Sequence, residues 1–148
     1  MPEDPNLADL ADQLAVQRVI SAYAMLTGRG DWAPVLALFT EGAVWEIPHL
    51  GLRFAGLEAI RGALAMLSEP LEFVLQHNAP AVIDLDGDTA TARSGIREGG
   101  KYKGKPESVE YLGIYADTLV RTAEGWKFTR RVFEGIGALE FEVVALSR

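Results

Sequence analysis

Two histidines, His49 and His77, are the side chains of this chain best able to exchange a proton near neutral pH. His77 lies in the run Leu75-Gln76-His77-Asn78-Ala79. On an extended strand it shares a face with Leu75 and Ala79, while Gln76 and Asn78 take the other. If Leu75 faces inward, so does His77, either as a general base or as a histidine that shapes a pocket and offers a hydrogen bond. His49 follows Trp45 and Ile47 at strand spacing, but Pro48 interrupts the alternation. It reads as a rim contact for a ligand oxygen or as an exposed loop histidine. Tyr23 sits one helical period from Ile20 and Thr27, so its hydroxyl either polarises a carbonyl or ends at the edge of a core. Tyr111, Gly113, Tyr115 and Asp117 share one strand face. Trp45, Tyr102, Tyr111 and Tyr115 are candidates to line an apolar pocket. Asp117 is a candidate acid, or a partner for a base, if it is buried. The favoured reading is an ion pair with Arg130 or Arg131 across a hairpin.

Other chemistries have little footing. The chain has no cysteine, hence no thiolate nucleophile, disulfide or thiolate metal site. Two histidines without regularly spaced carboxylates predict no metal, and Asp84, Asp86 and Asp88 read as turn chemistry rather than calcium ligands. No P-loop or dinucleotide fingerprint is present, so no cofactor is expected. A formal charge of −7, without a basic cluster interleaved with aromatics, argues against nucleic acid and against anionic membranes. The acidic start lacks the pattern of a signal peptide, and no apolar run is long enough to span a bilayer. A cytoplasmic location is expected.

The elements that must carry these residues follow from periodicity. The 148 residues are about one domain's worth, 49% hydrophobic and 24% charged. Residues 1–6 read as a loose tail. Leu7, Leu10, Leu14, Val16, Ile20, Tyr23 and Ala24 recur at helical spacing, as one helix or a broken pair, stopped by Gly28 and Gly30. Asp31 caps a short helix. Ala43–Ile47 reads as a strand, Gly51–Gly56 as a short strand or bend, and Leu57–Leu67 as a helix ended by Pro70. Phe73–Leu85 is predicted as one long strand with a bulge or edge position at Pro80. Asp86-Gly87 is a hairpin turn into Thr89–Ile96. The polar, glycine-rich stretch from Glu98 to Pro106 reads as a loop or a mobile lid. Val109–Arg121 and Trp126–Phe133 complete the strands, and residues 135–148 read as a tail packed on the domain or on a partner. Helices first and antiparallel strands after make an α+β domain around a pocket for a small apolar molecule.

Several runs carry a resemblance. Val19-Ile20-Ser21-Ala22-Tyr23, Gly30-Asp31-Trp32, Leu38-Phe39-Thr40-Glu41-Gly42-Ala43-Val44-Trp45, Gln76-His77-Asn78 and Gly125-Trp126-Lys127-Phe128, in this order, resemble a SnoaL-like domain of the NTF2-like superfamily over 7–134. The resemblance implies a cone of curved sheet wrapped by helices, a cavity at the open end, and a homodimer; the alternating apolar strands place the expected interface on the outer face of the sheet. It points to the group that includes scytalone dehydratase and hexachlorocyclohexane dehydrochlorinase. In that group a histidine base, matched by His77, is oriented by an aspartate whose place is taken here by Gly28. Gly113 and Tyr115 match positions where a serine and an asparagine face the ligand. The implied activity is cofactor-independent dehydration, isomerisation or cyclisation with His77 as base and Tyr23 or Tyr115 as donor to the oxyanion. The alternative is a noncatalytic binding protein, or a structural subunit resembling the β subunit of ring-hydroxylating dioxygenases.

Overall fold

The computed structural model describes residues 7–144 and 146. Residues 1–6, expected as a tail, lie outside the described residues. The apolar stripe at the start forms one unbroken helix, α1 (Leu7–Thr27), which buries Val16, Ile20, Tyr23 and Ala24. A short helix follows, α2 (Trp32–Leu36), whose N-cap Asp31 accepts a hydrogen bond from the Ala33 N–H at 3.3 Å. Then come strands β1 (Phe39–Ile47) and β2 (Leu52–Ala55), joined through a 3-10 turn at Pro48–Leu50, and helix α3 (Leu57–Ser68). The second half holds β3 (Leu71–Asn78), β4 (Val82–Asp86), β5 (Thr89–Tyr102), β6 (Glu107–Thr122) and β7 (Gly125–Glu142).

All seven strands form one curved sheet in the order β2-β1-β7-β6-β5-β3, with β4 also paired to β5. Among the described residues only β1 and β7 run parallel, so the sheet is mixed. The inner face of β5 alternates cleanly: Ala90, Ala92, Ser94 and Ile96 are buried, while the residues between them are exposed. Helices α1 and α3 pack onto this concave side, where Ile20, Tyr23, Ile60 and Leu64 join Trp45, Leu119 and Phe128 in the core. An α+β cone is the result.

Three expectations need correction. The single strand from Phe73 to Leu85 is two strands, because the ladder stops at Ala79-Pro80-Ala81. Pro80 brings no N–H to a ladder, and the Ala81 N–H turns instead to the Gln17 side chain of α1 at 2.8 Å. The stretch predicted as a lid is largely strand. Glu98 to Lys101 pair with β3 on one side and β6 on the other, and only Lys103 to Pro106 turn. The residues from Gly135, expected as a tail, continue β7 and pair with β6 as far as Glu142.

Three glycines mark close approaches: Gly28, Gly113 and Gly135, where a Cβ would meet the His49 ring at 2.6 Å. A Cβ at Gly28 would meet the Val74 carbonyl oxygen at 2.7 Å, so the end of α1 sits directly on the β3 backbone. At Gly113 a Cβ would meet the Phe133 ring at 2.6 Å and the Glu134 carbonyl at 2.7 Å. Gly28→Asp, which restores the carboxylate expected from the resemblance, should therefore cost roughly 1–3 kcal/mol by overpacking against backbone that cannot yield. Urea unfolding measures it; unchanged stability would show that α1 can lift off β3.

Candidate functional site

The concave side of the sheet encloses a cavity of about 340 Å³, at the lower end of the ~300–1,000 Å³ typical of small-molecule pockets. Its walls are set by the packing just described. α1 supplies Tyr23 and Thr27, β1 supplies Trp45 and Ile47, and α3 supplies Leu64 and Leu67. β3, β5 and β6 contribute Val74, Gln76, Glu98 and Tyr115. The mouth is marked by the exposed lining residues His49, Leu50, Met66 and Tyr111.

The polar groups within this apolar surface are few. Glu98 and Gln76 are cross-strand partners in the β3–β5 ladder. Gln76 Nε2 donates a hydrogen bond to Glu98 Oε2. Burial pushes the Glu98 carboxyl above its ordinary 4.5, against the opposing effects of the Gln76 hydrogen bond and the Arg131 charge. Tyr23 and Tyr115 stand edge-to-face with ring centroids 6.0 Å apart. Burial raises the Tyr23 hydroxyl to about 12 and the Tyr115 hydroxyl well above its ordinary 10, so both remain donors at neutral pH.

Beneath the tyrosines lies Arg131, with no exposed surface. Its guanidinium carbon is 3.6 Å from the Tyr115 ring centroid, 4.2 Å from Tyr23 and 4.5 Å from Phe128. Its Nε is 3.1 Å from Asp117 Oδ1, and both side chains are fully buried. Burial pushes the Asp117 carboxyl up to about 6 despite the lowering effect of Arg131. The three aromatic rings replace water around the cation.

The structure brings Tyr23, Trp45, His49, Tyr102 and Tyr115 to the cavity. It does not bring His77, Asp117 or Gly113 there. His77 is exposed on the outer face of the sheet, in a shallow groove with Phe73, Leu75 and Arg97. The reason is phase. On β4 the odd-numbered Ile83 and Leu85 turn inward, but on β3, before the break at Ala79-Pro80-Ala81, the even-numbered Val74 and Gln76 do so. Leu75 is left 49% exposed, and the His77 base is corrected to a surface residue. Asp117 is the buried partner of Arg131 rather than a cavity acid. Gly113 is covered by the Phe133 ring rather than open to a ligand. Glu98 and Gln76 were missed as site residues. The signal existed in the alternation Ala90, Ala92, Ser94, Ile96, whose next inward position is Glu98. Among the described residues, no group of three or more histidines, cysteines or carboxylates could hold a metal ion. No helix there is long and apolar enough to cross a membrane.

Comparison with known proteins agrees with this architecture. The family profile of the SnoaL-like domain matches residues 8–132. An uncharacterised protein of Mycobacterium tuberculosis (strain H37Rv) is 26% identical over 136 residues, which span 86% of this chain and 87% of that one. A provisionally assigned scytalone dehydratase from Novosphingobium aromaticivorans superposes with a TM-score of 0.83 at 23% identity, covering 93% of this chain and 92% of that one. A hexachlorocyclohexane dehydrochlorinase superposes equally well, with a TM-score of 0.83 at 16% identity over 96% and 97% of the two chains. These two structures share the fold.

The buried ion pair generates a stability test. Asp117→Asn strands the Arg131 charge and should cost about 3–5 kcal/mol in chemical denaturation. Combining it with Arg131→Met removes both charges and should recover most of that loss. A single variant as stable as the parent would show that the aromatic rings alone suffice for the cation.

Proposed function

The chain belongs to the SnoaL-like domain family, and on that premise we propose a cofactor-independent enzyme of the dehydratase or isomerase type acting on a small, apolar, oxygenated molecule. The observation that carries this reading is Glu98, a carboxylate in the cavity wall whose proton affinity is raised by burial and whose position is held by the Gln76 amide. Raised carboxylates in apolar sites are suited to moving protons near neutral pH. In this reading Glu98 takes the proton from a carbon next to a carbonyl, and the released electron pair moves to the carbonyl oxygen. Tyr23 and Tyr115 donate hydrogen bonds to that oxygen, and the positive charge of Arg131 behind their rings favours the anion. Glu98 then returns the proton, either to another carbon or to a departing hydroxyl.

A second reading, a noncatalytic binding protein, draws on Gly28. A Cβ at Gly28 would lie 2.7 Å from the Val74 carbonyl oxygen, which leaves no room for an orienting aspartate. One experiment separates the two. The protein should accelerate exchange of the α-protons of a small cyclic ketone such as 2-indanone in heavy water, followed by NMR. The rate should rise with pH through the Glu98 pKa, above the ordinary 4.5, because a base must be ionised to act. Glu98→Gln should lower the rate by roughly 10²-fold or more and remove that limb. No acceleration over buffer supports the binding protein instead, and an acceleration that Glu98→Gln leaves intact removes Glu98 as the base.

A further inference from the structure

Polar atoms buried without partners describe the ligand that completes them, since native interiors leave few such atoms unpaired. Two residues that line the cavity carry one each. Trp45 is 5% exposed and Gln76 4% exposed, and neither Trp45 Nε1 nor Gln76 Oε1 finds a hydrogen-bond partner among the described residues. The other buried atoms of this kind lie on Asn78 and on the Asp117–Arg131 pair, which do not line the cavity.

The chemistry of each orphan is one-sided. An indole N–H can only donate. The Gln76 amide spends an N–H on Glu98, which leaves its oxygen, able only to accept. The two stand on opposite walls: β1, which holds Trp45, is separated from β3, which holds Gln76, by β7, β6 and β5. Among the described residues no lysine or arginine lines the cavity, and Glu98 lies beside Gln76, so an anion has nothing to neutralise it at that end.

We propose that the cavity recognises its ligand at two points, a hydroxyl or amine hydrogen received by Gln76 Oε1 and a neutral carbonyl or ether oxygen held by Trp45 Nε1. The ligand class is then an uncharged or cationic small molecule with a donor at one end, an acceptor at the other and an apolar body between. This rests on the cavity of the proposed function but not on proton transfer within it.

Four probes of similar size test it by titration calorimetry: 4-(4-hydroxyphenyl)-2-butanone, its 4-methoxy ether, 4-butylphenol and 3-(4-hydroxyphenyl)propionate. The first offers both groups, the second lacks the donor, the third lacks the carbonyl, and the fourth is an anion. The hydroxyphenyl ketone should bind roughly 3- to 10-fold more tightly than either the ether or butylphenol, the worth of one hydrogen bond each. The carboxylate should bind most weakly. An amine in place of the phenol, 4-[4-(aminomethyl)phenyl]-2-butanone, whose nitrogen cannot reach its own carbonyl across the ring, distinguishes an ammonium donor from a hydroxyl.

Two variants supply a double dissociation that loss of folding cannot mimic. Gln76→Met should abolish the preference for phenol over ether and keep the preference for ketone over butylphenol, and Trp45→Phe should do the reverse. Equal affinities for the probes, no binding by any of them, or preferences untouched by both variants overturn the proposal. Binding with these preferences but without α-proton exchange leaves it standing and sinks the catalytic reading alone.

Discussion

Strand side chains alternate with a period of two, so any gain or loss of one residue reverses which of them face inward. In this protein the reversal is made at Ala79-Pro80-Ala81, between β4 and β3, both of which pair with the same strand β5. The interruption is anchored rather than loose. The Ala79 N–H reaches the Gly95 carbonyl at 2.8 Å, and the Ala81 N–H reaches Gln17 on α1 at 2.8 Å. With the break tied to both sheet and helix, β3 must present Val74 and Gln76 to the cavity and His77 to the outside. Everything proposed about the site depends on that choice, because it sets Gln76 opposite Glu98 on the inner face.

A second constraint lies below the cavity. Burying a guanidinium is costly unless its charge is met, and Arg131 is met by one carboxylate and three aromatic rings. The same rings belong to the core: Tyr23 packs edge-on against Phe39, Phe128 and Tyr115. The tyrosines that line the cavity are therefore held from behind by a cation and from the sides by aromatic neighbours. Their hydroxyls are placed by this packing together with a hydrogen bond between the two. Such a floor suits electrostatic stabilisation, which depends on donors that need not reorganise.

Much of this architecture was legible in the sequence, and the failures have a common cause. Helical spacing from Leu7 to Ala24, the Asp31 cap and the Asp86-Gly87 turn each depend on local chemistry, and each was read correctly. The aromatic lining could be anticipated because Tyr23, Trp45 and Tyr115 sit at inward spacings within single elements. The orientation of His77 was not legible in the same way. It depends on the phase across a proline, where local alternation carries no information, and the apolar Leu75 favoured the wrong face. Glu98 was hidden for a related reason. Its glycine-rich neighbours weaken strand propensity, and only pairing with β3 and β6 together makes that stretch a strand.

The contact at Gly28 and the pair at Gln76 and Glu98 fit together physically. With the end of α1 pressed on the Val74 carbonyl, a carboxylate on the helix has no space beside β3. The next residue inward on β3 is Gln76, neutral and needing no counter-charge from the helix. Its amide turns instead along the sheet to Glu98, which brings the cavity's acidic group from β5 rather than from α1. In the proposed reading, the proton-carrying group sits in a strand–strand pair. A cross-strand ladder fixes both partners by backbone register, so the pair keeps its geometry without relying on how closely the helix packs.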